Sequence, residues 1–368
     1  MKVGRLGGLL FMLCLVLLLW VWQSGAVLKY MPRPFVCSAA EPEWFDALVD
    51  LSRELGWPGF QLSYVDPRGD RVDCASGWAG FMQPMRTNVV MRYASLSKLF
   101  TSLVMTQLFA EERLHPDDFL VRRLGISGPF TDPRVAQIRL GQLLRHTAGF
   151  DRLVSSDPML MEQPWCPNHL DVLQRIQLDH APGSHYSYSN LGYCLLGAVI
   201  AKAEGEALDK VYRRRLLQGY TSTSIAPLAR GEIREGEPAR YFEPPESSAD
   251  LLSLDYQSLL AAGGWSGTAQ DLLTMLEDQF IGDESGLFEK PLCSPLIWRA
   301  CHGPAFYAYK KNGGQIMYWR DGSLPGVSAF VGVFESGDKI VVLANGRHAV
   351  WVNDSDKLGQ AFYRWLRQ

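Results

Sequence analysis

Apolar positions recur every three to four residues through the middle of this chain and crowd into short β-rich runs toward both ends. Trp44, Leu48 and Leu51 fall at helical spacing and predict a helix over 41–55, which Gly56, Pro58 and Gly59 stop. Strands over 60–65 and 71–77 flank the turn Pro67-Arg68-Gly69-Asp70 and read as a hairpin. Leu, Phe, Met and Val at helical spacing predict a helix over 98–111. Further helices are predicted over 170–178, 191–204, 208–217 and 269–279, the last with Thr268 as N-cap and Asp271 in its first turn. Strands return over 315–320, 326–334 and 339–344, the last two joined by the turn Glu335-Ser336-Gly337-Asp338. A helix over 354–367 closes the chain. The economical assembly is an α+β fold. One antiparallel sheet is built from both chain ends and flanked by helices, and a mostly helical lobe is inserted between them. A site is expected in the cleft between sheet and lobe.

The first residues change the picture of where this domain works. Lys2 and Arg5 precede an uncharged run from Leu6 to Trp22, and Ser24-Gly25-Ala26 offers small residues for cleavage. That is the layout of a secretory signal. The run continues toward Leu28, and Trp20 and Trp22 suit a membrane interface, so a retained single-span anchor reads equally well. Either way residues 1–28 export the rest, to the periplasm, free or anchored to the inner membrane. Residues 29–40, with Pro32 and Pro34, read as a linker, and 41–368 as one domain. No small residue directly precedes Cys14 or Cys37, so lipidation is not expected.

Six cysteines follow the first segment: Cys37, Cys74, Cys166, Cys194, Cys293 and Cys301. In an oxidising compartment an even number invites disulfides, and proximity suggests Cys37 with Cys74 and Cys293 with Cys301. Buried free thiols are the plainer reading. Cys301-His302 raises a zinc site that no second close pair supports. A net charge of -3 with scattered basic residues gives no nucleic-acid surface.

Three short segments carry candidate chemistry. Ser95-Leu96-Ser97-Lys98 leads into an apolar helix, and residues three apart share a helix face, which sets Lys98 beside the Ser95 hydroxyl. A buried lysine loses proton affinity and can serve as a base. Tyr188-Ser189-Asn190 sits at a loop-to-helix junction, where a tyrosine can share proton transfer and Asn190 can hold Lys98 or a substrate carbonyl. Trp319-Arg320-Asp321-Gly322-Ser323-Leu324-Pro325-Gly326 ends one strand and turns into the next. Its backbone can meet an extended substrate, Gly322 clears space for it, and the Ser323 N–H can join that of Ser95 around an oxyanion. Taken singly, the three also read as a helix cap, an aromatic-plugged turn and an ordinary hairpin.

In this order the three segments resemble the penicillin-recognising serine hydrolases, in particular their class C β-lactamase-like branch. Leu143-Leu144-Arg145-His146-Thr147-Ala148-Gly149-Phe150 resembles that family's LLxHTSGL segment. The stretch Ala262-Gly263-Gly264-Trp265-Ser266-Gly267-Thr268-Ala269-Gln270-Asp271-Leu272 resembles its AGGLxSTAxDL stretch. The resemblance covers roughly residues 41 to 368. It implies that Ser95 forms an acyl-enzyme, that Lys98 and Tyr188 share proton transfer, that Asn190, Arg320, Asp321, Gly322 and Ser323 meet substrate, and that no cofactor or metal takes part. His146 reads as a packing or hydrogen-bonding histidine, and His185 and His348 receive no role.

The third segment departs from the family pattern. Arg320 stands where lysine or histidine is usual, and Asp321 where threonine or serine is usual. Arginine cannot act as a base but can hold a carboxylate. Asp321, if it faces the cleft, repels a carboxylate and attracts an amine; alternatively both residues pair with structural partners. The implied substrates are small or peptidoglycan-type: a β-lactam, a D-alanyl peptide or an ester. The alternatives are a penicillin-binding sensor that acylates without turnover and an envelope structural protein.

Overall fold

A computed structural model of the chain describes residues 12, 28, 31–220, 223–238, 241–242, 250–279, 287–288, 294–311, 313–348, 350 and 352–366. The apolar run 6–22 lies, apart from Met12, outside the described residues. Among those described, no helix is long and apolar enough to cross a membrane.

Eleven strands are described: β1 (Phe35–Cys37), β2 (Gly59–Val65), β3 (Arg71–Gly80), β4 (Gln83–Pro84), β5 (Met91–Arg92), β6 (Ala226–Pro227), β7 (Trp265–Gly267), β8 (Tyr307–Tyr309), β9 (Met317–Leu324), β10 (Val327–Phe334) and β11 (Lys339–Ala344). The helices are α1 (Phe45–Glu54), α2 (Lys98–Ala110), α3 (Leu120–Leu124), α4 (Leu140–Leu144), α5 (Asn190–Glu204), α6 (Leu208–Tyr212), α7 (Ala269–Gln279) and α8 (Val352–Trp365). The main sheet runs β1-β3-β2-β11-β10-β9-β8, with β4 on β3. All its pairs are antiparallel, and β11 lies beside β2 with Val341 opposite Ser63, which joins the two ends of the chain. The expected α+β architecture is the one observed.

Both faces of this sheet are covered, so its inner strands are mostly buried, and every residue of β10 is buried. On the outer face α1 and α8 close an aromatic core around Trp57, Phe60, Trp319, Phe330 and Phe362. On the inner face Val331, Val341 and Leu343 join the larger core that continues through α2 and α5. A small second sheet, β5-β7-β6, fixes the strand that enters α2. Its anchor is a fully buried ion pair, Arg92 Nε to Glu237 at 2.9 Å.

Three expectations are corrected, and one strand is added. Residues 35–37 of the expected linker form an edge strand, in which Cys37 pairs with Cys74 by register and by disulfide. The helix expected over 170–178 is one 3₁₀ turn, Leu170–Gln174, because Leu173 alone of its residues is buried. The strand expected over 315–320 runs on to Leu324, so Arg320-Asp321-Gly322-Ser323 lies inside a strand rather than at its end. The three-residue strand β8, too short to leave a pattern, was not anticipated. Helix α7 has the predicted bounds, and Thr268 Oγ1 accepts from Asp271 N–H at 3.1 Å as its cap.

Candidate active site

The approach to α2 is apolar and closed, and one residue breaks the pattern: from Val90 to Met105 every residue is buried except Ser95. Ser95 sits in a 3₁₀ turn, Ala94–Ser97, rather than on the first turn of α2. Ala94 enters that turn with φ 48°, a left-handed conformation that an alanine adopts only where its surroundings enforce it. The i to i+3 geometry of the turn sets Lys98 Nζ 3.1 Å from Ser95 Oγ. Lys98 has no solvent exposure, and its other contacts are the Asn190 Oδ1 and the Ala262 carbonyl, each at 2.7 Å. Burial drives its pKa well below the usual lysine value, the Arg320 charge lowers it further, and Asp157 opposes the shift.

Helix α5 supplies the second group. Ser189 caps it, accepting from Gly192 N–H at 3.0 Å, which places Tyr188 just outside the helix and Asn190 at its first position. The Tyr188 hydroxyl donates to Ser95 Oγ at 2.6 Å. Burial raises the Tyr188 pKa, the Arg320 and Arg152 charges pull it back, and it stands at about 12. At neutral pH Tyr188 is therefore a phenol. His146 holds this segment: its ring stacks on Tyr188 at 4.6 Å, and its Nδ1 accepts the Ser189 N–H at 3.1 Å.

Strand β9 supplies the third side. Strand alternation splits its four candidates between two faces. Arg320 points inward and is 1% exposed. Its Nε donates to the Ser95 carbonyl at 3.1 Å, and its Nη1 meets the Ala305 carbonyl and lies 3.3 Å from His302 Nε2. Gly322 also faces inward: a Cβ there would stand 2.6 Å from the Tyr93 carbonyl and 3.0 Å from Ser95 N. Its missing side chain makes room for the turn that carries Ser95. Asp321 and Ser323 point outward. The Asp321 carboxylate binds Arg299 Nη2 at 2.8 Å and Ser355 Oγ at 2.8 Å. Burial raises its pKa, but Arg299 and Ser355 outweigh this and leave it below the usual carboxylate value. Asp321 thus has the structural partners that were one of its two readings, and its carboxylate is turned away from Ser95. The Ser323 hydroxyl accepts from Arg347 Nη1 at 3.4 Å.

Two neighbours of the site were not anticipated. Asp157 accepts from Asn190 Nδ2 at 2.7 Å, and the Arg152 guanidinium lies 4.6 Å from the Tyr188 ring centre. Both come from a loop whose sequence carries no motif. They border a cavity of about 180 Å³ beside Asn190, walled by Phe150, Trp165, Ser189 and Leu191. A disulfide not proposed from proximity, Cys166–Cys194, ties this loop region to α5. Cys301 is also disulfide-bonded, which removes its thiolate as a zinc ligand; Cys293, its expected partner, lies outside the described residues.

The family model described as Beta-lactamase matches residues 46–361. A probable fimbrial assembly protein FimD, serogroup H1, of Dichelobacter nodosus is 35% identical over 341 residues, covering 89% of this chain and 84% of that protein. A putative D-alanyl-D-alanine carboxypeptidase of Escherichia coli O157:H7 is 26% identical over 213 residues, covering 50% of this chain and 47% of that one. Among solved structures, D-amino acid amidase from Ochrobactrum anthropi SV3, complexed with L-phenylalanine amide, superimposes with a TM-score of 0.70. It is 20% identical and covers 87% of this chain and 95% of that one, a likeness of fold.

Proposed function

This chain belongs to the β-lactamase family of serine hydrolases, and on that premise we propose that it is an exported enzyme working through an acyl-enzyme on Ser95. Its substrates are β-lactams, D-alanyl peptides or esters of the cell envelope. The observation that carries the reading is the convergence on Ser95 Oγ of the Tyr188 hydroxyl at 2.6 Å and Lys98 Nζ at 3.1 Å. Lys98, whose proton affinity burial lowers, takes the serine proton as Oγ attacks the carbonyl carbon. Tyr188, a phenol at neutral pH, passes a proton to the leaving group and is resupplied from Lys98. The backbone N–H groups of Ser95 and Ser323 receive the oxyanion. Asn190 keeps Lys98 in place, and water then releases the acyl group. Disulfides among the described residues suit an oxidising compartment and support export.

Within this substrate range, acyl compounds whose leaving group is uncharged are favoured. Asp321 is turned away from the site. Among the described residues the Arg320 Nη2 has no hydrogen-bond partner, and it is shielded from the solvent side by which an incoming carboxylate would have to reach it. The cavity beside Asn190 gives an acyl side chain room. The test is steady-state turnover of a D-alanyl ester, a D-alanyl-D-alanine peptide and a penicillin by the full chain, against Ser95→Ala. Ser95-dependent hydrolysis, fastest for the ester, is expected. Equal rates for the two proteins would overturn the reading.

A further inference from the structure

Arg320 replaces the residue with which this resemblance would grip a substrate acid, and its surroundings give it different work. Its guanidinium lies between three elements, touching the Ser95 carbonyl on the nucleophile turn, the Ala305 carbonyl and His302. It is 1% exposed, and its carbon stands 5.4 Å from the Tyr193 ring centre. We propose that Arg320 is a positioning residue for the reaction described above: its guanidinium clamps the turn that carries Ser95 and sets a permanent positive charge beside Lys98, in place of receiving a substrate carboxylate. The inference rests on the serine-hydrolase reading of the site.

The clamp needs arginine. A planar fork can hold the Ser95 and Ala305 carbonyls from fixed directions, whereas one ammonium on a flexible stem cannot hold both in the same geometry. The turn has reason to be held: Ala94 is in the left-handed region, and Gly322 lets β9 press against it. The charge acts on Lys98 because little else there is cationic. His146 and His302 are both driven well below the usual histidine pKa, first by burial, and are neutral. Facing Lys98 are Tyr188 and Asn190 at the start of α5, Tyr193 within it, the Ala262 carbonyl, Arg152 and Asp157 from the loop before, and Arg320 with Asp321 behind it from β9. Its own helix presents no other charged residue. The cation with the largest effect on Lys98 is Arg320.

The experiment uses the full chain with ε-¹³C-labelled lysine, and follows the Lys98 resonance, identified by its loss in Lys98→Met, against pH in wild type, Arg320→Gln and Arg320→Lys. Removing the charge is expected to raise the Lys98 midpoint by about one pH unit, a tenfold change in the unprotonated fraction. Arg320→Lys keeps the charge and moves the midpoint by less than half of that. In the same variants kcat/KM is expected to fall by one common factor for a neutral ester and for a penicillin. An unmoved midpoint in Arg320→Gln, or a penicillin rate that falls tenfold more than the ester rate, would overturn the proposal. The resonance requires no turnover, so it decides the charge role even if the hydrolase reading fails. Should Arg320→Gln not fold, Arg320→Lys carries the test. A wild-type-like midpoint with slower Ser95 acylation supports the clamp, and an unchanged acylation rate refutes it.

Discussion

The two faces of β9 carry the same kinds of residue to opposite ends. On the outer face Trp319 stacks on Trp298 at 4.3 Å and on Tyr307 at 4.5 Å, and Asp321 is tied to Arg299 and Ser355. Those contacts join the strand to α8 and build rigidity. On the inner face Arg320 and Gly322 touch the turn that bears Ser95. Adjacent charged residues therefore do unrelated work, because a strand sends neighbours to opposite sides. Position in a motif does not assign a role unless the face is known as well.

Substitutions one residue apart should separate the faces. Gly322→Ala gives the largest effect expected: its Cβ would meet backbone that cannot swing aside. A loss of about 100-fold in kcat/KM and about 3 kcal/mol in stability should appear in kinetics and urea melts. The pH–rate profile comes next. In the proposed mechanism Lys98 reacts unprotonated, so kcat/KM should fall about tenfold per pH unit below its depressed pKa. With Tyr188 at about 12, no alkaline limb should appear in the accessible range. On the outer face Asp321→Asn should cost about 2–3 kcal/mol of stability while changing kcat/KM less than threefold. Because the folded pKa of Asp321 is depressed, the stability it contributes is present above the unfolded value of about 4 and is lost as pH falls through the folded pKa. A denaturation series should therefore show wild type and variant converging in acid. The smallest effect belongs to Ser323→Ala, within about 0.5 kcal/mol and twofold in rate, since the proposed mechanism uses only its backbone N–H. A large catalytic loss in Asp321→Asn or Ser323→Ala would break the comparison.

The sequence made the inner machinery legible where chemistry fixes local spacing. Ser95 and Lys98 are one turn apart, and Tyr188 and Asn190 flank a helix cap, so both pairs announce themselves. The hairpin of β2 and β3 and the β10–β11 turn were equally readable, because alternation and turn residues are local. What distance in the chain creates was not. Asp157 reaches Asn190 across 33 positions, and Cys166 meets Cys194 across 28. Arg320 and Asp321 could be named but not oriented, since one residue more or less of strand exchanges their faces. Three-residue strands such as β1 and β8 are too short for a period to show.

The most direct test of the account is intact mass spectrometry of acid-quenched reactions, taken from milliseconds to minutes after mixing the full chain with a D-alanyl ester or benzylpenicillin. The account predicts a mass gain equal to the acyl group, absent in Ser95→Ala, that forms and decays with the ester and forms more slowly with the penicillin. No mass gain with either compound, or a gain that persists in Ser95→Ala, would contradict it.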